Sequence, residues 1–599
     1  MVSKYTRSHL TTAKTPLRNK LFLAGIYLGL LTILLRLFYW QIIEGSWLKS
    51  AALSQYERVQ VTKGQRGQIY TQDGHLLVGN ATKYHLVGYP YLLEKTPAEI
   101  SQTILPLLLN DLAEYQESTD EAEKKELQTK LKEKIEQQLS KDRVKWVSLF
   151  PNLSEDTKKS FLALDLAGLD FETTAVRLYP EASLAAHLTG FVGKDEQGQP
   201  LGYFGVEGAL NKELSGKKRK ITFSADALGF SFFGLNSINF ASTAGRNVTL
   251  TIRRDLQTLV ESALKNGLEK YGATAGEIIV VKPQTGEILA LAAEPKFNQS
   301  TYHEFEEYLY KNPALTNLFE PGSIFKTLTV SAGIDAGVIN PETQCPRCDG
   351  PRQINQYSIR TWNEEYHPQI NMADALAKSD NIAMIFVAEE MGPDIFKKYL
   401  NNFGIGEKLE IDLYGDANTP FPEKWGPVEL ATRSFGQGIT ATSLQIVRAV
   451  SAIANQGTMM QPQIIKKVLD PDGEEIVVQP KKVRQVISPE TARKVTEMMV
   501  YAAKSGEAQW TYSKTHSVAG KTGTSQIPAK EGGYKQDATI ASFIGFAPPE
   551  NPQFLMLVKL IEPQSSPWAA ETAAPLWYKI AEKLFLSLNI PPDQQQSEL

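Results

Sequence analysis

The sequence predicts an α+β protein behind one membrane-spanning helix, and three observations carry that prediction. An apolar stretch at 21–43 follows a basic segment near the N-terminus. From 44 to 225, short strand-like runs with glycine turns flank a block of amphipathic helices. From 248 to 588, strands at both ends enclose a long helical stretch, the pattern of a sheet assembled from distant segments.

The bulk composition sets the frame for these elements. The chain has 599 residues, length for about three or four domains. Hydrophobic residues make up 42% and charged residues 22%, enough to bury cores and too apolar for disorder. A net charge of −4 gives no pull toward nucleic acid, so no nucleic-acid partner is expected. Two cysteines cannot make a disulfide framework, so packing must hold the fold.

The first element is the apolar helix. Residues 1–20 carry Lys4, Arg7, Lys14, Arg18 and Lys20 and no acid. Leu21–Leu35 is free of charge, and Leu37–Ile43 continues the run after Arg36. Together they make 23 residues, where about 20 suffice to cross a bilayer. Arg36 sits near one end, where it can snorkel, and Tyr39 and Trp40 suit the interface. The basic flank predicts a cytoplasmic tail at 1–20, a single pass at 21–43, and the rest outside the cytoplasmic membrane. A cleaved signal peptide is the alternative; the run is long for one and lacks a small-residue cleavage site.

The region 44–225 begins as a helical exit and turns strand-like at Val59–Val61 and Arg66–Tyr70, with a turn at Asp73-Gly74. Leu127, Leu131, Ile135 and Leu139 have helical spacing, and the charge run Glu121–Lys134 reads as a solvated helix face. Residues 226–247 read as a linker or hairpin, rich in Ser, Phe, Asn and Gly. In 248–588, Val248–Ile252 is a strand, Arg254–Tyr271 an amphipathic helix, and Gly276–Val281 with Ile288–Ala292 a hairpin. Helices follow from about 323 to 455. Ala519–Thr524, Ile540–Phe546 and Phe554–Ile561 are strands, and 572–587 is the last helix. The polar tail 589–599 is expected to be disordered.

Three short motifs carry chemistry. Ser323-Ile-Phe-Lys326 puts a hydroxyl and an amine on one helix face, following the Pro321-Gly322 turn pair. A serine needs an adjacent base, and a lysine serves if burial or a nearby cation frees its amine. Ser379-Asp380-Asn381 offers a hydroxyl for proton relay and an amide to orient a peptide. Lys521-Thr522-Gly523-Thr524 reads as a strand with a cation, two hydroxyls and no side chain at 523, suited to an edge along which an extended peptide lies. The first two are weak alone, since Ser215-Gly-Lys-Lys218 and Ser237-Ile-Asn239 match the same spacings. Their order decides: Ser-x-x-Lys, Ser-Asp-Asn and Lys-Thr-Gly in succession mark penicillin-binding proteins and class A β-lactamases.

Beyond the motifs, the chain resembles the class B penicillin-binding proteins from Arg36 onward. Glu320–Lys326 resembles the nucleophile segment, with Ile324 where Thr or Val is usual. Arg66–Ile69, Arg177–Pro180, His187, Gly190 and Gly205–Glu207 resemble the pedestal, and Phe435–Gly438, Ala454–Gly457 and Ala541–Phe546 the transpeptidase domain. The segments around Ser434–Gly438 and Gly532–Phe546 look closest to the cell-division type. The resemblance implies a pedestal or dimerisation-type domain at 44–225 and a β-lactamase-like serine transpeptidase domain at 248–588, an antiparallel sheet flanked by helices. It implies a peptidoglycan D,D-transpeptidase that cross-links stem peptides ending in D-Ala-D-Ala, with β-lactams as inhibitors. By that likeness Ser323 is the nucleophile and Lys326 its base, Ser379 and Lys521 relay a proton, and Asn381 holds the peptide. Thr522, Gly523 and Thr524 form the substrate strand, the N–H groups of Ser323 and Thr524 the oxyanion hole. A glycan-polymerising membrane partner and other division proteins are implied as well.

The remaining features are weighed on their own. Seven scattered histidines show no His-x-x-x-His pair, and no metal or cofactor is expected. Cys345-Pro-Arg-Cys348 could be a local disulfide, a redox couple or half a zinc site; a loop disulfide or two idle thiols is the favoured reading. His516 and Trp568 either shape the cleft or are a loop residue and a core residue. Two rival functions stand: a carboxypeptidase or β-lactamase-type hydrolase, and a non-catalytic β-lactam-binding scaffold.

Overall fold

The computed structural model describes residues 16–141, 144–224, 243–422, 424–529 and 531–593. These form two units, Met1–Gly64 with Lys217–Thr243, and Gln65–Gly216 with Ala244–Leu599. Most of the predicted basic tail and of the 226–247 linker lies outside the described residues.

In the first unit, Pro16 precedes a helix over Leu17–Phe38, where its fixed φ starts the first turn. A π-turn at Tyr39–Ile43 extends it. The combined 27 residues are long and apolar enough to cross a membrane, with none of the span buried against protein. The helix starts four residues before the predicted 21, taking in Arg18 and Lys20, because a helix continues through basic residues at its end. Arg36 lies 5.4 Å over the Trp40 ring. A second helix, Gly45–Tyr56, leads into Glu57–Lys63, which pairs antiparallel with Lys218–Ser224.

In the second unit a five-stranded sheet carries the site. Its strands are β1 (Ala275–Val281), β2 (Ile288–Glu294), β3 (Ala519–Pro528), β4 (Tyr534–Ala547) and β5 (Phe554–Ile561). Their order is β2-β1-β5-β4-β3, antiparallel throughout. Around it lie α1 (Arg254–Tyr271), α2 (Lys326–Asp335), α3 (Asn381–Asn402, broken at Gly392), α4 (Ser443–Ala454), α5 (Pro489–Ser505) and α6 (Ala573–Ser587). Both sheet faces are covered, which explains the near-continuous apolar strands. Side chains alternate between two cores: Ile278, Val280, Phe554, Met556 and Val558 join α1 and α6, whereas Ile279, Val281, Leu555 and Leu557 join the layer of α2 to α5. Helix α2 is buried from Lys326 to Ile334, so its hydroxyls bond inward, Thr329 to Ser434 O at 2.7 Å and Ser331 to Thr327 O at 2.6 Å.

A seven-stranded sheet forms the other half of this unit. Asn247–Leu250 pairs parallel with Ile69–Tyr70 and antiparallel with Ile465–Leu469, so segments on both sides of the expected 226–247 boundary share one sheet. Residues 65–216 therefore belong to the same compact unit as 244–599. Beyond this sheet, Ile100, Ile104 and Leu108 pack on Leu131, Ile135 and Leu139, the predicted apolar stripe, while its charged face is solvated.

Three distant sequence motifs meet at a buried carboxylate. Glu207 is fully buried and accepts from Arg66 Nε at 2.6 Å and Arg177 Nε at 2.7 Å. Arg66 also donates to Asn211 and Ser215 at 2.9 and 3.0 Å, and Arg177 to Asn80 at 2.8 Å.

Two local expectations differ from what is found. The helical stretch after 323 is interrupted by a hairpin, Arg352–Ile354 with Tyr357–Ile359, turned by Asn355 in the left-handed region. The polar tail begins anchored: Ile590 is buried, and the Asp593 carboxylate accepts from Ser517 N and Oγ, both at 2.6 Å. Residues 594–599 lie outside the described residues.

Candidate active site

Ser323 sits in a tight turn, Gly322–Phe325, that opens α2. Gly322 has φ +58, and a Cβ there would lie 2.9 Å from Thr524 O and 3.1 Å from Ser525 Cβ. Only glycine fits both the turn and the approach to β3. Ser323 is half-buried and faces a cleft of about 750 Å³ together with Asn381, Thr524, Trp362 and Trp568.

One turn on, Lys326 is 1% exposed, and its amine points to the second motif. Nζ donates to Ser379 O at 2.5 Å and to Asn381 Oδ1 at 2.7 Å, with Ser379 Oγ at 3.2 Å. The Asn381 amide is oriented by its Nδ2, which donates to Arg360 O at 2.9 Å. A neutral amine has two N–H groups and one lone pair. Two oxygens that can only accept take the N–H groups, leaving the lone pair for a hydroxyl. Burial pushes Lys326 down to about 7, the nearby Lys521 ammonium adds to this, and Glu507 and Asp380 oppose it.

Ser379 occupies the link between the helix Met372–Ala377 and α3, with φ +57. For a residue with a Cβ this is a strained conformation. It aims Oγ between two lysines, 3.2 Å from Lys326 Nζ and 3.1 Å from Lys521 Nζ. Asp380 between the motif's ends caps α3, accepting from Ala383 N at 3.0 Å.

The third motif lies on β3, the edge strand beside β4. Lys521 is 3% exposed and donates to Thr522 Oγ1 at 3.1 Å; burial lowers its pKa and Glu507 resists. Thr522 Oγ1 donates to Glu507 Oε2 at 2.9 Å. Thr524 Oγ1 accepts from Ala569 N at 3.1 Å. A Cβ on Gly523 would lie 2.8 Å from both Ile324 Cγ2 and Ser542 Oγ and 3.1 Å from Ile324 N. Gly523→Ala should therefore displace the turn bearing Ser323 and lower stability by about 1–3 kcal/mol, read from urea unfolding.

All eight sequence-predicted residues are thus accounted for: Ser323, Asn381 and Thr524 line the cleft, Lys326, Ser379 and Lys521 form a buried cluster, and Thr522 and Gly523 complete the strand. Glu507 and Trp362 escaped the sequence reading, and Glu320 was named there only as part of the nucleophile-like segment. Glu507 lies fifteen positions before Thr522 with no motif around it. Trp362 stacks edge-on against Trp568 at 5.1 Å, and both rings are exposed on the cleft wall rather than in a core. Glu320 accepts from Gly438 N at 3.0 Å and Tyr534 at 3.1 Å, and burial raises its pKa. His516 is not a cleft residue; it stacks on Phe585 at 3.9 Å. Cys345 and Cys348 form the local disulfide, one of the readings left open. Among the described residues no group of His, Cys, Asp and Glu is arranged to hold a metal.

The profile of the penicillin-binding protein transpeptidase domain matches residues 276–582, and that of the penicillin-binding protein dimerisation domain matches 61–250. The chain is 29% identical to stage V sporulation protein D of Bacillus subtilis, over 99% of this chain and 88% of that protein. It is also 29% identical to the peptidoglycan D,D-transpeptidase FtsI of Escherichia coli, over 74% of this chain and 72% of that one. The fold is similar to the crystal structure of penicillin binding protein 2X from Streptococcus thermophilus, with TM-score 0.71 and 23% identity over 89% of this chain and 81% of that one. With a dimerisation domain ahead of a transpeptidase domain that spans half of its length, the chain belongs to the class B penicillin-binding proteins.

Proposed function

We propose that this transpeptidase cross-links peptidoglycan through an acyl-enzyme on Ser323. Ser323 Oγ attacks the carbonyl between two terminal D-alanines of a stem peptide, and its proton passes to Lys326. The new Oγ–C bond replaces the C–N bond, and Ser379 and Lys521 deliver a proton to the departing D-alanine amine. The amine of a second stem peptide then takes the acyl group and frees Oγ. The N–H groups of Ser323 and Thr524 hold the oxyanion, Asn381 the peptide backbone, and Thr522 and Thr524 the terminal carboxylate. β-Lactams are trapped at Ser323 as esters.

The observation that carries this reading is the buried Lys326 amine, whose two N–H groups are matched by carbonyl oxygens one turn from a serine that faces the cleft. Transfer is favoured over hydrolysis because, among the described residues, no carboxylate lines the cleft to activate water. The basic residues before the apolar helix support a cytoplasmic N-terminus and an extracytoplasmic enzyme. There it works beside a glycan-polymerising membrane partner.

Intact-mass analysis after penicillin treatment should show one adduct, mapped to the peptide containing Ser323; an adduct elsewhere defeats the assignment. With stem-peptide substrates the product should be a cross-linked dimer, and trimmed monomer alone would make the enzyme a hydrolase. Since the base acts neutral and Lys326 lies at about 7, acylation should rise with pH through about 7 rather than through the ordinary lysine range.

A further inference from the structure

We propose that Glu507 is a positioning residue that holds Lys521 protonated, through Thr522, while Lys326 gives up its proton. The inference rests on the acyl-transfer reading above and adds an acid from outside its three motifs.

Two buried lysines share one hydroxyl, since Ser379 Oγ is 3.2 Å from Lys326 Nζ and 3.1 Å from Lys521 Nζ. Two ammonium groups so placed repel each other, and the reaction needs them in different states: one a base, the other a cation that can give a proton toward the leaving amine. Their surroundings differ in the way that this requires. Besides the shared hydroxyl, Lys326 meets two neutral oxygens, Ser379 O and Asn381 Oδ1. Lys521 meets one neutral carbonyl, Thr522 O at 3.2 Å, and also begins a hydrogen-bonded chain that ends in a carboxylate: Nζ donates to Thr522 Oγ1 at 3.1 Å, and that hydroxyl donates to Glu507 Oε2 at 2.9 Å. Asp380, the other acid acting on Lys326, is engaged at the α3 cap. Glu507 is therefore the acid bonded into the Lys521 side of the cluster. It opposes the effect of burial on both lysines.

Among the described residues, the charged groups that share the lysine cluster or a cavity with this acid come from several elements. Lys521 comes from β3, Lys326 from α2 and Asp380 from the start of α3. Lys378, His367 and Glu365 line with Glu507 a side cavity of about 210 Å³, where Lys378 Nζ lies 2.8 Å from His367 Nε2. The alkaline limb of the pH profile is the readout.

The test is the acylation rate of the full chain in detergent with a fluorescent penicillin, from pH 6 to 10. In Glu507→Gln the alkaline fall should come about half to one pH unit earlier, so that the ratio of the rates at pH 9 and pH 7 drops about 3- to 10-fold. Glu507→Asp, which keeps the charge, should recover most of that ratio. Thr522→Val cuts the same chain at its hydroxyl with little change of shape and should move the limb the same way; it carries the test if Glu507→Gln melts at a lower temperature. An unmoved alkaline limb in the folded variants, or an equal loss at every pH, overturns the proposal. Wild-type labelling at Ser323 is scored separately, so failure of the acyl-enzyme reading is distinguishable from failure of this one.

Discussion

Lys326→Met should slow acylation by a fluorescent penicillin by about 10²- to 10⁴-fold, the usual worth of a positioned general base. Methionine fills the same buried volume but takes no proton from Ser323. Labelling should not return at high pH, whereas wild-type labelling should rise through about 7. The same substitution has a signature in stability. Lys326 ordinarily titrates near 10.5 and is lowered to about 7 when folded. Between those values the unfolded chain holds a proton that the folded chain lacks, so the lysine's contribution to stability rises with pH. Below about 7 both states are protonated and the full cost of burying the ammonium is present. The unfolding free energy of wild type relative to Lys326→Met should thus increase by about 2–3 kcal/mol from pH 7 to pH 9, at about 1.4 kcal/mol per pH unit. Urea unfolding of both proteins at the two pH values measures it, and a flat difference would mean that the lysine is not buried as an ammonium.

Glu207→Ala should cost about 3–5 kcal/mol of stability, a large part of the roughly 5–15 kcal/mol that holds a typical domain. The loss follows from what remains, not from the contact removed. Arg66 and Arg177 have side chains only 11% and 5% exposed, and both aim at this carboxylate. Without it two guanidinium groups stay in a poorly solvated place and repel each other. Replacing all three by apolar residues of similar volume should recover most of the loss, since the desolvation cost disappears with the charges. Urea midpoints of the single and triple variants decide between this and a plain packing role, in which the triple variant would be worse than the single.

These two sites show how far the sequence could be read. Arg66, Arg177 and Glu207 belong to three stretches noted for their resemblance to pedestal segments, but nothing in their spacing says that they share one ion pair. The sheet strands were legible because a long run such as Phe554–Ile561 is apolar at nearly every position. Their order was not, because a strand buried on both faces carries no mark of its neighbours. The hairpin at 352–359 was missed because each of its strands has three residues, too short for a period to emerge. Trp568 could not be assigned to wall or core, since the Trp362 ring that stands against it is two hundred positions away in the chain.

The chain's own order of residues determined the apolar helix, the alternation of strands and helices, and the three motifs that name Ser323, Lys326, Ser379, Asn381 and Lys521. Those are local properties: a run of apolar residues, a period, a short spacing. Tertiary structure alone decided that β3 stands at the sheet edge against the Ser323 turn, that Ser379 Oγ lies between two buried amines, and that Glu507 closes the chain from Lys521. The physical reason is that the protonation of a lysine depends on burial and on charges a few ångströms away in space, and neither quantity is a function of distance along the chain.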